Sequence, residues 1–161
     1  MSDMGILRTT VLIENPLRRG DVRSMPETLV DTGAELTWAP RALMEDLGIA
    51  PEKRETFQMA DGRVITRDVG YAIVHTSGAR TNDEVVFAEE GDLVILGARS
   101  LEGMNLRIDP RNKQLVAAGP IVAAHAVMAG AMSAPRRDAR RLLVSGSRDR
   151  SSCHRRAARP H

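Results

Sequence analysis

Turn-forming residues interrupt the first 118 residues of the chain at short intervals, and the apolar runs between them are brief. The run "TTVLIE" ends at Asn15–Pro16, and two further runs flank Asp61–Gly62. An Asp-Gly pair between apolar runs is a strong signal for a β-hairpin. A last hairpin is predicted around "DPRN", residues 109–112. Many short strands with little helix indicate an all-β fold, either a small barrel or a sandwich.

Two short segments break this pattern with helical signals. In "PRALMEDLG", Leu43, Met44 and Leu47 share one helical face, and Gly48 follows as a C-terminal cap. The segment "RSLEGM" predicts a second helix of one or two turns. The segment "RRGDVRSMPE", residues 18–27, is predicted to be a loop. The fold class predicted from the sequence is therefore all-β with one or two short helices.

Charge is distributed unevenly along the chain. Residues 1–118 hold 14 Lys/Arg and 19 Asp/Glu, a net charge of −5, whereas residues 119–161 hold nine Arg and two acids, a net charge of +7. The high isoelectric point therefore comes from the C-terminal segment. An acidic body with only four aromatic residues argues against nucleic-acid binding through the main domain.

The composition change predicts a domain over residues 1–118 and a tail over residues 119–161 that is Ala/Gly-rich, then Arg/Ser-rich, and expected to be disordered. The apolar stretch at 116–132 is shorter than a membrane span, so we expect a weakly ordered arm there, with a membrane anchor as the less favoured alternative. A lone cysteine, Cys153, and no signal peptide lead us to expect a cytoplasmic protein. The scattered histidines lack metal-ligand spacing, so no metal and no cofactor are expected.

The stretch "LVDTGA" combines a short strand with an acidic turn. Asp31 would lie where the strand ends, Thr32 offers a hydroxyl, and Gly33 permits a tight turn and close approach of a partner. A plain turn is the alternative, because all three residue types favour turns. One carboxylate cannot perform acid–base hydrolysis of an amide, but two that face each other and share a proton can. Because "DTG" occurs once, such a pair requires two chains.

Several segments in order resemble the retropepsin-like aspartic proteases, especially their single-domain bacterial members. These segments are "TTVLIEN", "LVDTGAELT", "MADGRV" and "LVILGARSLEGMNLRIDPRNKQL", and the resemblance covers about residues 6–117. It implies a small closed barrel-like fold that functions as a symmetric homodimer. It also implies an aspartic endopeptidase that hydrolyses peptide bonds of a polypeptide substrate. The alternative is a catalytically silent dimer of this fold that acts as a protein-interaction module.

The resemblance also implies the residues of the site. The catalytic residue would be Asp31, and the active-site loop would continue with Thr32, Gly33 and Ala34. The tip of a hairpin that covers the substrate, the flap, would be formed by Ala60, Asp61 and Gly62. Gly97 would pack against the active-site loop. In the family, the hydroxyl of the threonine cross-links the two loops of the dimer. The glycine at the position of Gly33 contacts the substrate backbone, and the last strand contributes to a sheet between the subunits.

The chain departs from the family pattern in two places. The flap tip has a single glycine, so its mobility is expected to be lower. The position after Gly97, often arginine in the family, is Ala98. That arginine normally pairs with the acid four residues after the catalytic aspartate, which is Glu35 here. Either Arg99 replaces it from one position later, or the pair is absent.

Overall fold

Short strands dominate the part of the chain that the structure, a computed structural model, describes, residues 6–123. Within this range there are nine strands and two short helices. In chain order they are β1 (Leu7–Glu14), β2 (Val22–Asp31), β3 (Thr37–Pro40), α1 (Arg41–Asp46), β4 (Lys53–Gln58), β5 (Val64–Thr76), β6 (Ala79–Ala88), β7 (Ile95–Gly97), α2 (Ala98–Gly103), β8 (Leu106–Asp109) and β9 (Gln114–Ala117).

Six of these strands close into a ring. The order is β1-β2-β7-β3-β6-β5, and β5 pairs again with β1 where Ile13 lies opposite Val74. Strand β4 extends the sheet from β5, and β8 and β9 form a separate two-stranded sheet. Ring closure satisfies strand edges that would otherwise be open. The predicted all-β, closed barrel-like fold with two short helices is confirmed.

The ring contains two parallel strand pairs, and one of them positions the acidic turn. Strands β2 and β7 run parallel, with Leu29 opposite Ile95 and Asp31 opposite Gly97. Parallel neighbours end at the same edge of a sheet, so these two residues lie side by side. Strand β3 pairs in parallel with β6 and antiparallel with β7. Three strand ends therefore meet at one place: the end of β2, the start of β3 and the end of β7.

The barrel interior is almost entirely aliphatic. Its largest fully buried side chains include Phe87, Ile13, Met44, Leu47 and Leu96. Burial of such a side chain stabilises the fold by roughly 1.5–3 kcal/mol relative to leaving it exposed. Helix α1 contributes Met44, and Leu47 follows directly after the helix, so this end of the helix covers the barrel. A second buried cluster surrounds Trp38 and lies on the side of the acidic turn.

Residues 22–27 are strand, and the prediction of a loop there was wrong. Strand β2 pairs with β1 from Val22 opposite Glu14 onward, so the loop is shorter than expected. Pro26 and Glu27 together oppose the single residue Thr10, which makes a β-bulge. A proline at a bulge removes no ladder hydrogen bond, so it does not end the strand. Pro26, which favours a loop in the sequence, lies at the bulge within the strand.

The predicted end of α1 is confirmed. Gly48 follows the helix with φ +71°, the left-handed conformation that a C-terminal glycine favours. The last carbonyls of a helix have no partner inside it. Here the carbonyl of Leu47 accepts hydrogen bonds from Asn15 Nδ2 at 2.8 Å and Arg18 Nη2 at 2.6 Å. The loop after β1 therefore fixes the C-terminal end of the helix.

The compact unit that contains the barrel extends to Pro120. Residues 121–123 form neither helix nor strand, and the rest of the predicted tail lies outside the described residues. Of the helices described, none has the length and apolar character needed to cross a membrane.

A buried carboxylate, Glu14, is expected to make the barrel sensitive to acid. Its side chain is 4% exposed and accepts hydrogen bonds from the Gly20 amide at 2.7 Å and Arg19 Nε at 2.9 Å, while His75 Nε2 lies 2.8 Å away. The Gly20 amide first, and then the Arg19 guanidinium, lower the pKa of Glu14 from 4.5 to about 2. The folded state therefore binds this proton less readily than the unfolded state.

We expect this carboxylate to stabilise the fold fully above pH 4.5 and to lose that contribution as pH falls towards 2. Urea unfolding of the wild type should show a steeper loss of stability over that range than Glu14→Gln. The exposed Glu102 provides the matched control, and Glu102→Gln should keep the wild-type slope. Equal slopes for wild type and Glu14→Gln would contradict this prediction.

Candidate active site

The acidic turn is held by hydrogen bonds from its own backbone. Asp31 is the last residue of β2. Its Oδ1 accepts a hydrogen bond from the Gly33 amide at 2.9 Å, and its carbonyl accepts one from the Ala34 amide at 3.2 Å. A Cβ at position 33 would lie 3.1 Å from Asp31 Oδ1, so a side chain there would crowd the carboxylate. The turn therefore holds the carboxylate in place and leaves it partly exposed.

Exposure changes sharply along this loop. Asp31 is half-buried, Thr32 and Gly33 are exposed, and Leu36 and Thr37 are buried. Within residues 6–123, no Lys or Arg forms a salt bridge with Asp31. The carboxylate therefore sits on a rigid base, its charge not neutralised by a cation in the described part of the chain.

The segment after β7 supports the loop from behind. The Ala98 amide donates to the Ala34 carbonyl at 2.8 Å, and the Arg99 amide donates to the Glu35 carbonyl at 3.0 Å. A Cβ at Gly97 would overlap the Leu36 carbonyl group and lie 2.9 Å from the Glu35 carbonyl oxygen. Gly97 has φ −89°, which any residue adopts, so the constraint is space and not conformation.

A cavity of about 700 Å³ opens beside Asp31. Trp38 forms part of its floor, and its ring lies 5.0 Å from the ring of Phe57 at an angle of 59°. Tilted aromatic pairs at this distance add favourable electrostatic contact to burial. The apolar part of the lining is formed by Ala34, Leu36, Trp38, Phe57, Met59, Ala60, Leu93 and Ile95. This wall can accept apolar side chains next to the carboxylate.

Another part of the lining is a network of ion pairs. Glu84 contacts Lys53 Nζ at 2.9 Å and Arg99 Nη1 at 3.1 Å, and Arg99 Nη2 contacts Glu35 at 2.8 Å. The hydrogen bond from Lys53 is the main cause that lowers the pKa of Glu84, and the bond to Glu35 is the main cause that raises the pKa of Arg99. Of the two alternatives for position 99, the structure therefore has the paired one.

The hairpin between β4 and β5 covers one side of the cavity. The Gly62 amide donates to the Met59 carbonyl at 2.9 Å, and the Met59 amide donates to the Arg63 carbonyl at 2.7 Å. Gly62 has φ +87°, as expected for a type I turn with a glycine bulge. Asp61 contacts Arg63 Nε at 2.6 Å, and hydrogen bonds from Arg63, the backbone one first, lower the pKa of Asp61. The tip is thus internally braced.

The predicted site residues fall into two groups. Four of them line the cavity: Asp31, Gly33, Ala34 and Ala60. The other four do not line it. Thr32 is exposed on the turn, Asp61 and Gly62 form the outer part of the hairpin tip, and Gly97 lies behind the loop.

Sequence reasoning did not identify the rest of the lining. Lys53, Glu55 and Phe57 occupy alternate positions of β4, and alternate residues of a strand share a face. Once β4 was assigned as one side of the hairpin, this periodicity could have placed them on the cavity. Glu84 and Leu93 carry no such signal. Glu84 lies on β6, which pairs with the distant strand β3, and Leu93 lies in the segment between β6 and β7. In residues 6–123 there is no cluster of three or more His, Cys, Asp or Glu suited to a metal.

Comparison with known proteins gives the family. The model of the family described as aspartyl protease matches residues 20–105, more than half of the 161-residue chain. The solution structure of simian foamy virus (mac) protease is similar at 21% identity and a TM-score of 0.41, over 59% of this chain and 91% of that one. A search of curated proteins gave no match. The matched residues include Asp31, the hairpin and Gly97, so the resemblance predicted from the sequence is confirmed and the chain belongs to the aspartyl protease family.

Proposed function

We propose that the protein is an aspartic endopeptidase whose active site forms on the two-fold axis of a homodimer, with Asp31 from each subunit. One observation carries the proposal. The aspartate of the only "DTG" lies on a braced, exposed turn at the edge of a cavity large enough for side chains. Family membership supports protease chemistry in general, and the geometry of this turn supports the specific residue.

The dimer follows from counting carboxylates. Each chain supplies one Asp31, while hydrolysis by this chemistry needs one acid and one base. A two-fold axis beside the exposed Thr32 and Gly33 would bring both turns together and make the contact isologous. The hydroxyl of Thr32 is then the group suited to bond the partner loop. We also propose that β9, with Leu115 and Val116, contributes to a sheet between the subunits.

The proposed reaction uses one shared proton. The ionised Asp31 takes a proton from a water molecule as the water oxygen attacks the peptide carbonyl carbon. The protonated Asp31 of the partner subunit gives its proton to the carbonyl oxygen, which forms a tetrahedral diol. The Asp31 that took the proton from water then gives it to the amide nitrogen, while the ionised Asp31 of the partner subunit takes a proton from one hydroxyl of the diol. The C–N bond breaks, and a carboxylic acid and an amine are released. Because water is the nucleophile, no covalent intermediate with the protein forms, and the two carboxylates exchange the roles of acid and base during the cycle.

The substrate is proposed to be an extended polypeptide. The apolar wall around Trp38 and Phe57 suits an apolar side chain next to the scissile bond. The hairpin tip, residues 59–63, would cover the bound chain, and the backbone at Gly33 would contact it. Closure of this kind removes water from the reacting groups and strengthens their interactions.

Cleavage of an unfolded protein at mildly acidic pH tests the proposal. We expect peptide products, and we expect inhibition by a peptide analogue with a secondary alcohol in place of the scissile carbonyl. A dimer that binds this analogue but produces no cleavage would favour the alternative, a silent interaction module. A protein that neither binds nor cleaves would reject the site as a peptide-binding cleft.

The rate of cleavage should depend on pH in a bell shape with its maximum on the acid side of neutral. Both Asp31 groups are protonated at low pH, and both are ionised at high pH, so either extreme removes one of the two roles. The two limbs belong to the pair of carboxylates and not to one residue. Steady-state rates over the pH range in which the protein stays folded measure this. A rate that rises steadily into alkaline pH would contradict it.

Specific activity should fall on dilution. If only dimers are active, the active fraction decreases once the protein concentration drops below the dimer dissociation constant. Sedimentation velocity on the same samples should show the dimer disappearing over the same concentration range. A monomer that cleaves with full specific activity would contradict the two-chain site.

A further inference from the structure

A buried chain of hydrogen bonds runs behind the acidic turn. The Gly97 amide donates to Thr37 Oγ1 at 3.1 Å, Thr37 Oγ1 lies 2.7 Å from Ser100 Oγ, and Ser100 Oγ donates to Asp83 Oδ2 at 2.8 Å. Thr37 and Ser100 are fully buried, and Asp83 is 8% exposed. Gly97, Thr37, Ser100 and Asp83 lie on β7, β3, α2 and β6, so these hydrogen bonds link four elements. We call the three side chains of Thr37, Ser100 and Asp83 the hydroxyl relay.

The direction of each bond in the relay is fixed by its ends. Ser100 has one hydroxyl proton and gives it to the carboxylate of Asp83. Its oxygen must therefore accept the proton of Thr37, whose own oxygen accepts the Gly97 amide. The second oxygen of Asp83 accepts the Glu84 amide at 2.8 Å. Every polar group in the relay has a hydrogen-bond partner. Removal of one hydroxyl therefore leaves a neighbouring buried polar group without a hydrogen bond.

The relay ends at the backbone that supports Asp31. Gly97 lies opposite Asp31 in the pairing of β2 with β7. The next two amides, those of Ala98 and Arg99, hold the carbonyls of Ala34 and Glu35. Thr37 is the first residue of β3 and follows the loop directly. The relay therefore holds the loop at its C-terminal end and also holds the segment against which the loop packs.

We infer that the hydroxyl relay of Asp83, Ser100 and Thr37 is a positioning device that sets where the Asp31 carboxylate stands in the assembled active site. This inference rests on the proposed function. Proton sharing between two carboxylates depends on their separation, because the repulsion that drives their pKa values apart falls with distance. A loop that moves away from its counterpart in the partner subunit weakens this coupling. None of the three relay residues lines the cavity.

Two charged residues are neighbours of the relay along the sequence, Arg99 beside Ser100 and Glu84 beside Asp83. Arg99 lies on α2, and its pKa is raised mainly by the bond to Glu35, with smaller coulombic contributions from Glu84 and Asp83. Glu84 follows Asp83 on β6 but points to the cavity, where it pairs with Lys53. Substitution of an uncharged relay residue leaves all of these groups unchanged. A change in the titration of Asp31 would then report the position of the loop.

Thr37→Val and Thr37→Ser are the matched pair that tests the inference. Valine keeps the shape but leaves the Gly97 amide without an acceptor, whereas serine keeps the hydroxyl. The measurement is a carbon NMR titration of the aspartate carboxyl groups in the dimer, with Asp31 assigned by its absence in Asp31→Asn. The wild type should titrate in two steps. We expect the steps to move closer by about one pH unit in Thr37→Val and to return to the wild-type separation in Thr37→Ser.

The kinetic constants of the two Thr37 variants should change in the same way as the titration, with Thr37→Val impaired and Thr37→Ser close to wild type. We expect kcat to fall about 100-fold in Thr37→Val with KM within about threefold of wild type, because a displaced reactive group costs rate and not binding. If Thr37→Val does not fold, Ser100→Ala breaks the relay one bond further from the loop and should show the same changes.

Two outcomes separate this inference from the proposed function. Two well-separated steps in the wild type that stay unchanged in folded Thr37→Val and Ser100→Ala would overturn the positioning role alone. A single step in the wild type would mean that no shared-proton pair exists, which overturns the proposed function and this inference with it.

Discussion

Asp31→Asn is expected to abolish cleavage. Replacement removes both carboxylates of the proposed pair at once, because each subunit supplies the same residue. General acid–base catalysis contributes roughly 10²–10⁴-fold for one group, so we expect a loss of at least about 10⁴-fold. The fold should persist, since asparagine can still accept the hydrogen bond that the Gly33 amide gives to Asp31 Oδ1. Initial rates at the pH of maximum activity measure the loss.

The control for this variant is Asp46→Asn. Asp46 is an exposed aspartate at the end of α1 that pairs with Arg23 at 2.6 Å and lies outside the cavity lining. It should keep wild-type activity within about twofold, since exposed ion pairs contribute about 1 kcal/mol or less. Substantial residual activity in Asp31→Asn, from a protein shown to be free of contaminating protease, would remove Asp31 from the mechanism.

Gly97→Ala is expected to destabilise the protein more than any other single methyl addition to the strands around the site. The new Cβ would overlap the carbonyl group of Leu36, which is backbone and has no rotamer to escape into. Overpacking typically costs 1–3 kcal/mol, and the fixed neighbour places this site at the upper end, about 3 kcal/mol. That is a large share of the 5–15 kcal/mol typical of a domain. Urea unfolding measures the change, and activity should fall with it.

Gly91→Ala is the control that distinguishes a steric collision from backbone strain. Gly91 has φ +89°, and a Cβ there meets no atom within 4 Å. Its cost is therefore conformational only, roughly 1 kcal/mol. Gly97 presents the opposite case, with an ordinary φ and no space. If Gly97→Ala is as stable as Gly91→Ala or more so, the loop moves freely away from β7, and the rigid support described above is absent.

The sequence was most informative where chemistry and structure coincide in a few consecutive residues. An aspartate after an apolar run predicts a carboxylate at a strand end, and Asp31 is the last residue of β2. The Asp61–Gly62 pair predicts a hairpin, and the helix end at Gly48 follows from glycine at a C-terminal cap. All these signals are local, so a single segment carries each one.

Features that depend on distant residues could not be predicted in this way. The relay joins Thr37 with Ser100, 63 positions apart, and two hydroxyl residues at that distance have no pattern in sequence. Ring closure depends on a short pairing between β1 and β5. The bulge at Pro26 mimicked a loop, because proline is compatible with both and only the partner strand decides between them.

The most direct test of the two-chain active site is a mixing experiment. Wild-type protein and Asp31→Asn are combined at fixed total concentration, allowed to exchange subunits, and assayed as the wild-type fraction is varied. If each site needs Asp31 from both subunits, mixed dimers are inactive and activity follows the square of the wild-type fraction, about one quarter at equal mixing. Activity that instead falls in proportion to the wild-type fraction, about one half at equal mixing despite demonstrated subunit exchange, would contradict the shared site.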